Sequence, residues 1–90
     1  MRPSCLDCVR KHLGQAAVLI DEVAAGYTDY KWLVVGHLAE AEAESMHDWA
    51  DLAYIIRERR LLYMSTDTLS VLPLIKEADR REKDGTGQTQ

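Results

Sequence analysis

The 90-residue chain reads as all-α: an antiparallel helical hairpin stack or small bundle of three to four helices. Three observations predict this. Phenylalanine is absent and only two prolines and five glycines occur, while Ala, Leu, Glu and Arg, all good helix formers, dominate. Apolar residues recur at three- and four-residue steps through most of the chain. Short polar breaks separate these stretches, and short connections make neighbouring helices antiparallel.

The first segment runs from about Cys5 to Ala25, with Leu6, Val9, Leu13, Ala16, Ala17, Ile20, Val23 and Ala24 on one stripe. Gly26 ends it as a C-terminal cap. Gly14 inside it costs about 1 kcal/mol against Ala, which predicts a close helix contact there. The second segment starts at Thr28 or Asp29, either a good cap, and reaches about Met46. Its first half is apolar nearly all round, and its second half is small and acidic. Asp48 caps the third segment, which reaches about Met64 with Trp49, Leu52, Ala53, Ile56 and Tyr63 as its apolar face. After the polar break at Ser65–Thr68, a fourth segment covers about Ser70 to Lys83, with Pro73 in its first turn, where proline is tolerated. Residues 1–84 make one helical domain and 85–90 a frayed tail.

Size and charge bound the function. A chain of this length buries about 60–65% of its unfolded surface, and such domains often add a metal, a disulfide or a partner chain. No apolar run reaches the roughly 18 residues of a membrane span. Met1-Arg2-Pro3-Ser4 is followed by no signal-peptide core, so a cytoplasmic location is expected. The net charge of −4 argues against nucleic acid as a partner. Charge is uneven: Glu40, Glu42, Glu44, Asp48 and Asp51 form an acidic stretch, and Arg57, Arg59 and Arg60 follow it. Tyr30, Trp32, Tyr54 and Leu61 lie off the main stripes, which predicts self-association into a homo-oligomer.

The two cysteines form a single Cys-x-x-Cys step, Cys5 and Cys8, followed by His12. Two thiolates and an imidazole are three of the four donors of tetrahedral zinc. At i, i+3 and i+7 they share one helical stripe. A hairpin turning about Tyr27 opposes residues whose numbers sum to about 54. His12 then faces about Glu42, and Cys8 faces Met46 or His47. His47 is therefore the expected fourth ligand, with His37 the alternative if the helices are offset. Inert thiols and a redox pair are the competing readings, the second without the strand–helix setting of thioredoxin-like proteins.

Four other patterns stand out. His37, Glu40, Glu44 and His47 make a second stripe, and Glu44-Ser45-Met46-His47 has the Glu-x-x-His spacing of di-metal carboxylate bundles, with Glu22 the obvious facing carboxylate. A solvated acidic face is the plainer reading. Val9-Arg10-Lys11-His12-Leu13-Gly14-Gln15-Ala16 echoes Val34-Val35-Gly36-His37-Leu38-Ala39-Glu40-Ala41, by duplication or by chance. Lys11, Arg57, Arg59 and Arg60 are candidates for anion binding, against ordinary pairing of Arg57 and Arg60 with the acids of segment two. If the fourth zinc position were open, Glu44 would be placed as a general base to a zinc-bound water.

Cys5-x-x-Cys8-x-x-Lys11-His12-Leu13, then Gly26-Tyr27 and Gly36-His37-Leu38-Ala39-Glu40-Ala41, resembles a group of small bacteriophage and prophage proteins. The resemblance spans Cys5 to Ala41 and implies a phage setting, with no particular activity. The expectation is a non-catalytic, zinc-stabilised helical interaction protein acting on a host factor. The alternatives are an oligomer that sequesters an anionic small molecule such as a signalling nucleotide, and a di-metal carboxylate mini-bundle.

Overall fold

The computed structural model describes residues 6–88, with side chains described for 6–83. Among these residues four helices follow one another: α1 Leu6–Ala24, α2 Lys31–Ser45, α3 Ala50–Thr66 and α4 Leu72–Gln88. A 3-10 turn, Thr28–Tyr30, precedes α2. The helices pack in a ring, α1 on α2, α2 on α3, α3 on α4 and α4 on α1, and the diagonal pairs do not meet among the described residues. Lys31 at the start of α2 pairs with Asp67 just past the end of α3, and Glu42 pairs with Arg60, so α2 and α3 are antiparallel. Arg10 near the start of α1 pairs with Asp79 and Glu82 in α4, and Arg81 of α4 reaches Asp51 at the start of α3. The architecture is an up-and-down four-helix bundle. No described helix is long and apolar enough to cross a membrane.

The predicted stripes fill the ring. Val9, Leu13 and Ala16 of α1 meet Val34, Leu38 and Ala41 of α2, with Leu52, Ile56 and Tyr63 from α3 and Val71, Leu74 and Ala78 from the α4 region. Tyr63 is fully buried, and its hydroxyl has no hydrogen-bond partner among the described residues. Burial pushes its pKa up. Tyr30, Trp32, Tyr54 and Leu61 are exposed.

Gly26 ends α1 as expected, and it does more. At φ +118° it lets the chain close a Schellman motif: Tyr27 N–H donates to the Glu22 carbonyl at 3.0 Å and Gly26 N–H to the Val23 carbonyl at 3.0 Å. Tyr27 is thereby level with Glu22. Opposed residues sum to about 49 rather than 54, a slip of five residues from the simple hairpin. This corrects the expected register. The repeated octapeptides now face each other across an approximate two-fold axis: Val9 and Val34, Leu13 and Leu38, and Ala16 and Ala41 are each 0% exposed.

Other expectations change at the helix ends. Thr28 and Asp29 do not cap α2; they belong to the 3-10 turn, and Tyr30 takes the N-cap position without a side-chain hydrogen bond. Trp49, not Asp48, is the N-cap residue of α3. There the Trp49 N–H donates to the Ser45 carbonyl at 2.8 Å, so backbone continues across the α2–α3 turn and a side-chain cap is dispensable. α3 runs past Met64 to Thr66, where Asp67 ends it at φ 61°. α4 runs past Lys83 to Gln88. Gly14 marks no close contact: a Cβ added there meets nothing within 4 Å.

Among the described residues, cations clamp three of the four seams. Arg81, 12% exposed, holds Asp51 in a two-pronged pair at 2.8 and 2.6 Å and donates from Nε to Glu77 at 2.8 Å, tying α4 to α3. Arg10 ties α1 to α4. Lys31 donates to the Met64 carbonyl at 3.2 Å and pairs with Asp67, and Arg60 lies 3.0 Å from Glu42 Oε1. The angle of the last contact lies outside hydrogen-bond geometry, so it is a Coulombic pair resting on its distance.

Two glycines give opposite predictions. Gly14→Ala adds helix propensity in open space and raises stability by about 0.5–1 kcal/mol. Gly26→Ala strains the positive-φ position and costs about 1 kcal/mol or more. Urea melts of both variants check this, and shifts of the same sign contradict it. Acid gives a second test. Hydrogen bonds from Arg81 hold the Asp51 carboxyl below its usual range, those from Arg80 and then Arg81 do so for Glu77, and Arg10 lowers Glu82. Such depressed carboxyls contribute stability above their unfolded pKa of about 4 and lose it as pH falls through the folded value. Hydrogen exchange should therefore show α4 loosening first below about pH 4, and Arg81→Met should flatten that pH dependence. Uniform protection of all four helices down to pH 2 contradicts it.

Candidate metal centre

The α1/α2 seam is bridged by imidazoles. His12 sits two turns into α1 and His37 two turns into α2, both half-buried. The register set at Gly26 places them 25 residues apart in sequence and brings their Nδ1 atoms to 3.2 Å. The ring centroids are 5.4 Å apart and the planes are tilted by 34°. Without a metal, one Nδ1 donates its proton to the other. Two nitrogens each about 2.0–2.1 Å from a tetrahedral zinc ion stand about 3.3 Å apart. The observed spacing fits that bite.

Cys8 lies one turn before His12 on the same stripe of α1 and is half-buried. Cys5 lies outside the described residues. Among the described residues, no three His, Cys, Asp or Glu side chains converge on one point. The two imidazoles are the potential metal donors that meet across the seam.

His47 is placed elsewhere. α2 ends at Ser45, eight residues and roughly 12 Å beyond His37 along the axis. His47 follows in the exposed 46–48 turn. The second predicted stripe is dispersed in the same way. Glu40 is exposed, Glu44 is half-buried, and Glu22 lies near the opposite end of the seam, level with Tyr27. The predicted anion set is divided too. Lys11 is on α1, whereas Arg57, Arg59 and Arg60 are on the diagonal helix α3, and Arg60 is paired with Glu42.

Beside the imidazoles, Lys11, Gly14, Gln15, Val18, Leu19 and His37 line a shallow groove of about 500 Å³. Gly14 keeps it open by lacking a side chain. The signal for the His12–His37 pairing was in the sequence as the octapeptide echo, because two antiparallel helices with matching faces pack about a two-fold axis, and the equivalent residues nearest that axis meet. The chain matches no protein-family model, and no curated protein or solved structure matches it significantly.

Proposed function

We propose that the chain is a non-catalytic helical interaction protein whose α1/α2 hairpin is stapled by one zinc ion, held by Cys5, Cys8, His12 and His37. The observation that supports this most is the 3.2 Å separation of the two imidazole Nδ1 atoms across the seam. Four protein donors close the coordination sphere, which makes the ion structural rather than catalytic. Its binding free energy is folding free energy, supplied at the seam that has no cation clamp among the described residues. The protein works as a homo-oligomer, and in the phage setting implied by the sequence resemblance its target is a host protein. His37 replaces His47 as fourth ligand in this reading because the Schellman cap shifts the register.

Metal analysis of the purified protein should find one zinc per chain, and Cys8→Ser should lose it. His37→Ala should cost at least about tenfold in metal affinity, and His47→Ala almost nothing. Chelation should lower the melting temperature of the wild type and leave that of Cys8→Ser unchanged. Protein free of stoichiometric metal, with two freely titratable thiols, contradicts the reading. A larger loss for His47→Ala than for His37→Ala contradicts the ligand set.

A further inference from the structure

α2 is apolar on nearly all sides in its first half, a pattern that belongs in an interior, and carries small residues between the acids of its second half. Its inner side, Val34, Leu38 and Ala41, fills the bundle core. Its outer side does not: Trp32, Leu33 and Ala43 are exposed, and Met46 extends the strip into the following turn. A shallow groove of about 190 Å³ between α2 and α3, lined in part by Met46, Ala53, Tyr54 and Arg57, joins this strip to Tyr54, and Leu61 continues it along α3. We propose that this α2/α3 face is where a second copy of the chain docks. The proposal rests on the self-association part of the function above and identifies the surface that carries it.

Two observations select a second copy over another occupant. The first is area. Trp32, Leu33, Met46, Tyr54 and Leu61 are 46–66% exposed. Aromatic side chains bury about 150–250 Å² each, so these five alone present on the order of 500 Å². With the small residues between them the face approaches the roughly 800 Å² per partner of a stable dimer. The second is charge. A two-fold interface must be self-complementary. Arg57 borders the face on the α3 side and Glu40 on the α1 side, both exposed and neither in an ion pair among the described residues. A two-fold axis lying in the face along α2 carries the α3 side of one copy over the α1 side of the other. That sets Arg57 against the partner's Glu40, twice per dimer.

Sedimentation of the full-length, metal-loaded protein at micromolar concentration tests this. The wild type should run at twice the monomer mass. Ala43→Glu, an exposed change that keeps helix propensity, should give a monomer with an unchanged helical circular dichroism spectrum. Arg57→Glu should weaken the dimer at least tenfold, and adding Glu40→Arg should restore it. A wild-type monomer at hundreds of micromolar overturns both the self-association reading and this surface. A dimer that survives Ala43→Glu overturns the surface alone. Failure of the double charge reversal to restore association overturns the Arg57–Glu40 pairing.

Discussion

The hydrogen bond from the Tyr27 amide to the Glu22 carbonyl sets the register on which the rest of this bundle depends. It exists because Gly26 adopts a positive φ that other residues rarely take. By folding Tyr27 back level with Glu22, it lays the buried stripe Val9, Leu13 and Ala16 antiparallel against Val34, Leu38 and Ala41, with Val9 toward Ala41 and Ala16 toward Val34, and it sets His12 against His37. A slip of one residue would turn each helix by about 100° relative to its partner's face. The leucines would then leave the core and the imidazoles would part. One cap therefore controls both the packing and the seam chemistry.

The four seams divide the work unequally. Three are held by Arg10, Arg81, Lys31 and Arg60, whose partners are largely carboxylates near the surface. Such pairs contribute only about 0–1 kcal/mol each and weaken with salt. They orient helices more than they stabilise them. The remaining seam, α1 against α2, has the most extensive backbone contact and, among the described residues, carries the two imidazoles instead of a cation. A domain of this size has a small core, so a bound ion at this position would add to the element on which the other helices pack.

The apolar stripes, the bundle class, the Gly26 cap and the placement of Pro73 at the start of α4 could all be read from the sequence, because each is a local rule about period or backbone conformation. Register could not be read by counting from a turn. The count took Tyr27 as the pivot, whereas the Schellman geometry folds the chain back earlier. The same count predicts His47 at the seam, whereas His47 lies in the exposed turn after α2. The repeated Val-x-x-His-Leu-x-x-Ala pattern held the right register, but it becomes informative only when the two copies are known to face each other. Nominal cap residues also misled: Thr28, Asp29 and Asp48 lie outside the N-cap positions because backbone hydrogen bonds carry the chain through both connections. Gly14 looked like a contact and is an opening.

Whether the cap-determined register places His37 in one coordination sphere with the N-terminal thiols and His12 decides the metal assignment. X-ray absorption at the zinc edge of the purified protein tests this most directly. Two sulfur neighbours at about 2.3 Å and two nitrogen neighbours at about 2.0–2.1 Å are expected, with the outer-shell signature of two imidazoles. Loss of one imidazole shell in His37→Ala, and its retention in His47→Ala, would complete the assignment. A shell of light atoms without sulfur, or an imidazole count unaffected by His37→Ala, would contradict it.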